Sequence, residues 1–372
     1  MTTDASGALR LTALHDAHLA AGARMVPFGG FEMPVQYAGV LKEHDAVRKR
    51  AGLFDLSHMA QFALGGDGVG AWAESLTVNK VANMKPGQAR YNIFTNERGG
   101  AHDDVIFYRL DDERWLLVVN AGNADKMWAL VNAERSGDVT LQNLHGERAL
   151  IAIQGPRSIE WLQPYVEADL GAMKYYSCAE TRVRGTSPTV VIARTGYTGE
   201  DGFELFLPSE DATGVWDLLL AENRAHGLEP CGLGARDVLR LEAGMPLYGH
   251  ELTEEITPLQ AGLAWAVKFD KPAFRGKATL EAQRDAGDYP RIAGMVMEGR
   301  VPARAGYAVF AHGERAGEVR SGSFAPSLGK SIATALIEPG DAAEGNRVDV
   351  EVRGAMHSAA ITPLPFYKRP KV

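Results

Sequence analysis

Two apolar segments, Tyr91-Asn-Ile-Phe-Thr95 and Val105-Ile-Phe-Tyr108, flank the polar stretch Asn96-Glu-Arg-Gly-Gly100. Segments rich in β-branched and aromatic residues around a glycine-containing loop predict a β-hairpin. The return strand opens with Asp103 and Asp104 and continues without polar alternation. That run predicts burial on both faces, with both carboxylates at the rim of a core. Side chains alternate along a strand, so Asp103 shares a face with Val105 and Phe107, and Asp104 with Ile106 and Tyr108. The two acids therefore cannot share a proton. Either one alone suits proton handling or the grip of a cationic or N–H-bearing ligand, since burial disfavours its charge. Turn aspartates bonded to backbone N–H groups are the plainer alternative.

Elsewhere the pattern predicts helices over Leu11–Ala23, Val40–Ala51, Ala71–Thr77, Asn123–Ala133 and Glu210–His226. Strands are predicted over Gln61–Gly65, Arg114–Asn120, Val139–Asn143, Ala149–Gly155 and Phe203–Leu207. Met25–Pro34, with two prolines and two glycines, reads as ordered but non-regular. Residues from about 60 to 145 form an α+β block by this reading. From Arg291 onward, short strands at Ala293–Met297, Ala308–Ala311, Gly317–Ser321 and Val348–Val352 predict a small all-β terminal domain. The charged segment Lys277–Tyr289 would join it to the rest.

Gly66-Asp-Gly-Val-Gly-Ala71 fits the dinucleotide-binding fingerprint G-x-G-x-x-A. The helix after it leads into a hairpin, no acid follows at the ~20-residue offset, and no second βαβ unit supports a doubly wound sheet. A tight strand-to-helix turn is the reading kept.

The 372 residues leave room for two or three domains. Lys and Arg total 39 against 47 Asp and Glu, a net charge of -8 without a basic block, so nucleic acid is not an expected partner. The first thirty residues are interrupted by charge and no later run approaches membrane-spanning length, so neither a signal peptide nor a membrane is expected. Cys178 and Cys231 make neither a disulfide framework nor a cysteine-rich metal site. A cytoplasmic location without a bound metal follows as the expectation.

Further candidate chemistry lies in Arg194-Thr-Gly-Tyr-Thr-Gly-Glu-Asp-Gly202, a compact glycine turn around Tyr197, and in the strand that follows. Glu204 interrupts that apolar strand, and an acid there needs an ion-pair partner or a cavity. Arg236 and Arg240 are four residues apart and share a face in Cys231–Gly244, a glycine turn into a short helix, and one of them is the natural partner for Glu204 or for an acidic ligand, unless both line a solvated face. His58, between Ser57 and Met59 and just before a strand, reads as a satisfied structural donor.

Taken in order, Gly-Gly-Phe-Glu-Met-Pro at 29–34, Phe-Asp-Leu-Ser-His-Met at 54–59, Gly-Gly-Ala-His-Asp-Asp at 99–104, Arg-Thr-Gly-Tyr-Thr-Gly-Glu-Asp-Gly at 194–202, Gly-Leu-Gly-Ala-Arg-Asp at 232–237, Leu-Glu-Ala-Gly-Met-Pro-Leu-Tyr-Gly at 241–249 and Ser-Leu-Gly-Lys-Ser-Ile-Ala at 327–333 resemble the glycine cleavage T-protein, or aminomethyltransferase, family. The resemblance covers nearly the whole chain. It implies an α+β fold of three domains with mixed and antiparallel sheets: a discontinuous first domain at 1–58 and 147–275, an inserted domain at 59–146, and a C-terminal β-barrel-like domain at 290–372. It further implies tetrahydrofolate as one-carbon acceptor and an aminomethylated lipoyl arm on the H-protein as donor. Asp104 matches the family's catalytic carboxylate, and Tyr91, Tyr197, Glu204 and Arg236 match its folate-contacting residues. His102 departs from the aliphatic residue usual before Asp-Asp and is expected to face solvent. Phe366-Tyr-Lys-Arg369 matches only loosely, with a folate contact from Tyr367 or Arg369 as its expectation.

Two other readings of the chain compete with this one. A tetrahydrofolate-dependent demethylase of a small sulfonium, amine or ether would need a donor pocket in place of a lipoyl-arm channel. A folate-binding module for iron–sulfur cluster maintenance would carry Lys-Gly-Cys-Tyr-x-Gly-Gln-Glu, which this chain lacks.

Overall fold

The computed structural model describes residues 8–186 and 188–370. The chain divides into two compact units. One is built from the chain up to Glu74, Val81–Asn92 and Val105–Arg236; the other takes Ser75–Lys80, Ile93–Asp104 and the chain from Asp237 onward.

The first unit holds a six-stranded sheet in the order Cys178–Thr181, Val190–Ala193, Gly202–Pro208, Arg148–Gln154, Gly52–Asp55, Glu229–Pro230. Neighbours pair antiparallel except for the last pair, which is parallel. One face of the central strands is apolar because helices cover it: Leu53, Ile151, Phe203, Leu205 and Leu207 join Trp216 of the helix Ser209–Asn223 in one core. Burying an aromatic of that size stabilises by about 1.5–3 kcal/mol relative to leaving it in water.

A five-stranded sheet runs in the order Gln88–Thr95, Ala101–Arg109, Arg114–Val119, Ala60–Gly65, Thr140–Asn143. Its first two strands are the hairpin expected from the sequence. In the run expected to be buried, Val105, Phe107 and Tyr108 are buried and Ile106 is half-buried; of the two acids, Asp103 is buried and Asp104 half-buried. Asp103 is thus a core residue, and only Asp104 stands at a rim. Ala60–Gly65 pairs antiparallel with both neighbours, which rules out a dinucleotide-type βαβ unit at Gly66–Ala71. Asp138 accepts the Gly68 N–H at 3.1 Å and caps that turn.

Two local expectations are corrected. The first helix spans only His15–Ala20 of the segment expected to be helical. Met25–Pro34 is not irregular but a two-stranded ribbon, Arg24–Phe28 against Phe31–Gln36, turning at Gly29 and Gly30 with φ of 56° and 84°. Positive φ at both central residues is the geometry of a tight hairpin turn. Pro27 and Pro34 are tolerated by register. Glu32, opposite Pro27, sends its N–H outward to the Arg10 carbonyl at 2.9 Å, so both prolines occupy positions whose N–H would leave the ribbon. The charged connector at Lys277–Tyr289 is largely a helix, Lys277–Ala286, closed by Gly287 in the left-handed region.

In the second unit, six strands close a barrel in the order Arg291–Met297, Lys330–Ile337, Glu314–Ala325, Ala308–Ala311, Arg347–Val352, Ala355–Thr362. Strict alternation in Arg-Val-Asp-Val-Glu-Val buries Val348, Val350 and Val352 inside. The same unit holds a buried ion pair: Arg240 donates to Glu251 at 3.0 Å and to Ser321 at 2.8 Å, with both charged side chains almost fully enclosed. Burial alone would push the Glu251 carboxyl up, but Arg240, Ser321, Thr334 and the Leu247 N–H together hold it below the ordinary value.

Arg240→Ala leaves the Glu251 charge uncompensated and is expected to cost about 3–5 kcal/mol, measured as the loss of unfolding free energy in urea. A loss below about 1 kcal/mol would show that the pair contributes no more than an exposed one.

Candidate functional site

The loop from Arg194 to Gly202 wraps around Gln154 at the end of its strand. Gln154 donates Nε2–H to the Thr195 carbonyl at 3.0 Å and accepts the Thr198 hydroxyl at 3.0 Å. A Cβ at Gly196 would press on the Gln154 carboxamide, and one at Gly202 would stand 2.4 Å from its Nε2 and 2.7 Å from the Ile153 carbonyl oxygen, so the close wrap requires glycine at position 202. Arg48 holds the loop from outside through the Thr198 carbonyl at 2.7 Å and Glu200 at 2.8 Å. The sequence Thr-Gly-Tyr-Thr-Gly is therefore a rigid support for Thr195 and Tyr197.

Glu204 follows on the strand Gly202–Pro208. Alternation commits Phe203, Leu205 and Leu207 to the core and turns Glu204 and Phe206 to the opposite face. Glu204 is 7% exposed. Its Oε2 accepts the Thr195 hydroxyl in a short hydrogen bond and the Tyr108 hydroxyl at 3.3 Å. Tyr108 also packs edge-on against Phe206, 5.1 Å between centroids. Burial, then the neighbouring Glu204 charge, raises the Tyr108 phenol well above its ordinary value, so it remains a donor at neutral pH.

Arg236, on the helix Leu233–Glu242, stacks its guanidinium over Tyr197 at 4.8 Å from the ring centroid. Burial lowers its pKa, while the charge of Glu204 opposes that shift. Of the two arginines considered from the sequence, Arg236 is thus the one that answers Glu204; Arg240 is spent on Glu251.

Three of the expected site residues, Tyr197, Glu204 and Arg236, therefore come together. Tyr91 is half-buried on Gln88–Thr95, the edge strand beside Ala101–Arg109. Asp104 belongs to the second unit, and strand alternation gives it the face of Ile106 and Tyr108. There the hairpin tip is fixed by the segment after Tyr248: Tyr248 donates its hydroxyl to the Ala101 carbonyl at 3.1 Å, Ala101 its N–H to Thr253 at 2.7 Å, and Asn96 Nδ2 to Glu254 at 2.9 Å. Gly100 is needed because a Cβ would lie 1.9 Å from the Glu254 carbonyl oxygen. His102 does not simply face solvent; its ring is half-buried, 3.5 Å from the Glu254 carboxylate. At the C-terminal segment, the Tyr367 N–H donates to the Glu242 carbonyl at 2.7 Å.

His58 corrects a second expectation. It is 2% exposed, and among the described residues its Nδ1 has no hydrogen-bond partner. Its ring meets Phe28 edge-on at 5.4 Å, and its carbonyl accepts the His145 Nε2–H at 3.0 Å. Burial, reinforced by the Arg236 charge, pushes the His58 imidazole down to about 3. His58 is therefore neutral across the physiological range and sits within the electrostatic reach of Arg236. The sequence signal for it was the Ser-His pair just before a strand; Thr195 and Tyr108, by contrast, gave no sign of converging on Glu204.

The family model described as GCVT N-terminal domain matches residues 14–271, and that described as glycine cleavage T-protein C-terminal barrel domain matches 291–368. An aminomethyltransferase of Deinococcus deserti is 47% identical over the full length of both chains. One of Geobacillus thermodenitrificans is 44% identical, covering 98% of this chain and all of the relative. The crystal structure of glycine cleavage system aminomethyltransferase T from Bartonella henselae superposes with a TM-score of 0.91 at 35% identity, covering 97% of this chain and 99% of that one. Among the described residues no helix is long and apolar enough to cross a membrane.

The depressed His58 pKa carries a pH signature. The unfolded chain takes up a proton near the ordinary value of about 6.5, which the folded state refuses until about 3. Stability from this group is complete above pH about 6.5 and declines as pH falls through that window, by about 1.4 kcal/mol per pH unit. His58→Gln is expected to remove one proton's slope from the pH dependence of urea unfolding between pH 6 and 4.5, about 1.4 kcal/mol per unit. An unchanged slope would mean that His58 titrates normally in the folded state.

Proposed function

The chain belongs to the glycine cleavage T-protein family of aminomethyltransferases, and from that premise we propose its reaction in detail. The aminomethyl group carried on the lipoyl sulfur of the H-protein gives its methylene carbon to tetrahydrofolate. The C–S bond and the C–N bond to the amine break, and two C–N bonds form, to N5 and N10 of the folate. Ammonia, dihydrolipoyl H-protein and 5,10-methylenetetrahydrofolate are the products. The H-protein is a transient partner, and the cytoplasm is the compartment we assign.

The observation that carries this reading is the enclosed carboxylate of Glu204 beside Tyr108, Thr195 and Arg236. A fixed, buried acceptor suits the N–H-bearing edge of a pterin, and a nearby guanidinium over an aromatic ring suits an anionic glutamate tail. In this proposal Glu204 and Tyr197 bind the ring, Arg236 the tail, and Tyr91 contributes a further folate contact. Asp104 acts as the catalytic carboxylate, its fixed negative charge opposed to the iminium character that develops on the transferred carbon. The demethylase alternative has no observation in its favour, since the full-length relatives above carry the aminomethyltransferase name.

Single-turnover assays with tetrahydrofolate and aminomethyl-loaded H-protein are expected to yield methylenetetrahydrofolate and ammonia in equal amounts. Binding of tetrahydrofolate without either product would overturn the donor assignment. Asp104→Asn keeps the shape and removes the charge, so turnover is expected to fall far more than folate affinity; turnover retained within a few-fold would remove Asp104 from the chemistry. Glu204→Ala is expected to weaken tetrahydrofolate binding by ~1–3 kcal/mol in titration calorimetry, from the hydrogen bonds left unmet. Equal affinity would mean that Glu204 does not touch the ligand.

A further inference from the structure

The two faces of the five-stranded sheet differ in kind. On one face the register aligns Phe62, Leu117 and Phe107, and Phe62 packs on Trp128 of the helix Ala124–Ala133, 5.0 Å between centroids. On the other face it aligns Gln61, Val118 and Ile106. Two residues beyond Ile106 on that second face stands Tyr108, whose hydroxyl reaches Glu204. Gln61 therefore lies on the face that supplies the Glu204 cluster, two strands from Ile106, or about 10 Å at ordinary strand spacing.

Gln61 is 1% exposed, yet among the described residues neither its Nε2 nor its Oε1 has a hydrogen-bond partner. Both ends of a carboxamide are strong hydrogen-bonding groups, and enclosing them unmet is destabilising. Val118 beside it and Ile106 one strand further on the same side are apolar, so packing alone would be served as well by Met or Leu at this position. By contrast, the buried Glu204, Thr195 and Gln154 of the candidate site are all satisfied. Three residues before Gln61, His58 repeats the pattern with its buried, unmet Nδ1, and it lies within reach of the Arg236 charge. One short turn-and-strand segment thus carries two unmet polar side chains, one on the sheet face that supplies Tyr108 to Glu204 and one within the electrostatic reach of Arg236.

We propose that Gln61 is a ligand-binding residue of this site, its carboxamide taking a ring edge that presents an N–H donor beside a carbonyl acceptor, with His58 Nδ1 adding a further contact. The inference rests on the folate reading. A reduced pterin carries both kinds of edge: an N–H-only edge suited to the acceptor Glu204, and N–H groups adjacent to its ring carbonyl. A carboxamide meets such a paired donor and acceptor in parallel, as glutamine does with the adenine edge in nucleic acids. A carboxylate at this position would repel the carbonyl, whereas the neutral amide accepts both groups.

Gln61→Met and Gln61→Leu remove the amide while filling its volume. Unliganded thermal unfolding and anaerobic titration with tetrahydrofolate separate the possible roles. Each variant is expected to melt at or above the wild-type temperature without ligand and to bind tetrahydrofolate ~10-fold or more weakly. Wild-type binding matched within about two-fold by both variants would overturn the inference and leave the folate reading intact. A lowered melting temperature with unchanged affinity, or failure of both variants to fold, would make Gln61 a structural residue and also overturn it. No tetrahydrofolate binding by the wild type would instead bring down the folate reading, and this inference with it.

Discussion

A carboxylate on the inner strand of a covered sheet is among the least comfortable groups a protein can hold, and the arrangement of the first unit follows from accommodating Glu204. Its own strand must be apolar on the other face to anchor it, which Phe203, Leu205 and Leu207 do. Its lone pairs must be met, and the donors come from two distant segments, Tyr108 and Thr195. Its charge is balanced by Arg236, itself steadied on Tyr197. Each of these supports is in turn built by local chemistry: the glycine wrap around Gln154, the buried end of Ala101–Arg109, and the helix Leu233–Glu242. A polar centre of this sort specifies its surroundings more strictly than an apolar one, since every member must be placed to a hydrogen-bond length.

The strand Ala101–Arg109 shows how one element serves two tasks. Period-two alternation sinks Asp103 into the core while leaving Asp104 half-buried, and four residues on it delivers Tyr108 to the carboxylate cluster. A one-residue slip of register would exchange the two aspartates and withdraw Tyr108 together. The hydrogen bonds that grip the hairpin tip, from Tyr248, Thr253 and Glu254, hold that register against such a slip.

Much of this was legible in the sequence where the signal was local. The hairpin at 91–108, the turn around Tyr197, the acid inside an apolar strand at 204 and the terminal strands all have short-range signatures, and they stand where they were expected. The misses are of another kind. Met25–Pro34 was obscured because proline argues against strands unless the direction of each N–H is known, which depends on register. His58 was read as satisfied because partners from distant segments cannot be counted from sequence. Thr195 and Tyr108 lie 87 residues apart and meet only at Glu204, and Gln61 is unremarkable in sequence until the sheet shows which face it occupies.

The proline ribbon has a consequence for the protein in company. Exposed strand edges are templates on which other chains can add, and a two-stranded ribbon has two of them. Here the outer side of Phe31–Gln36 is already engaged by Arg10, through the Gly30 carbonyl and the Glu32 N–H. The opposite side, along Arg24–Phe28, lacks a donor at Pro27, where an incoming strand would need one. A segment that looks irregular in sequence therefore gives the molecule edges on which a crowded neighbour gains little hold.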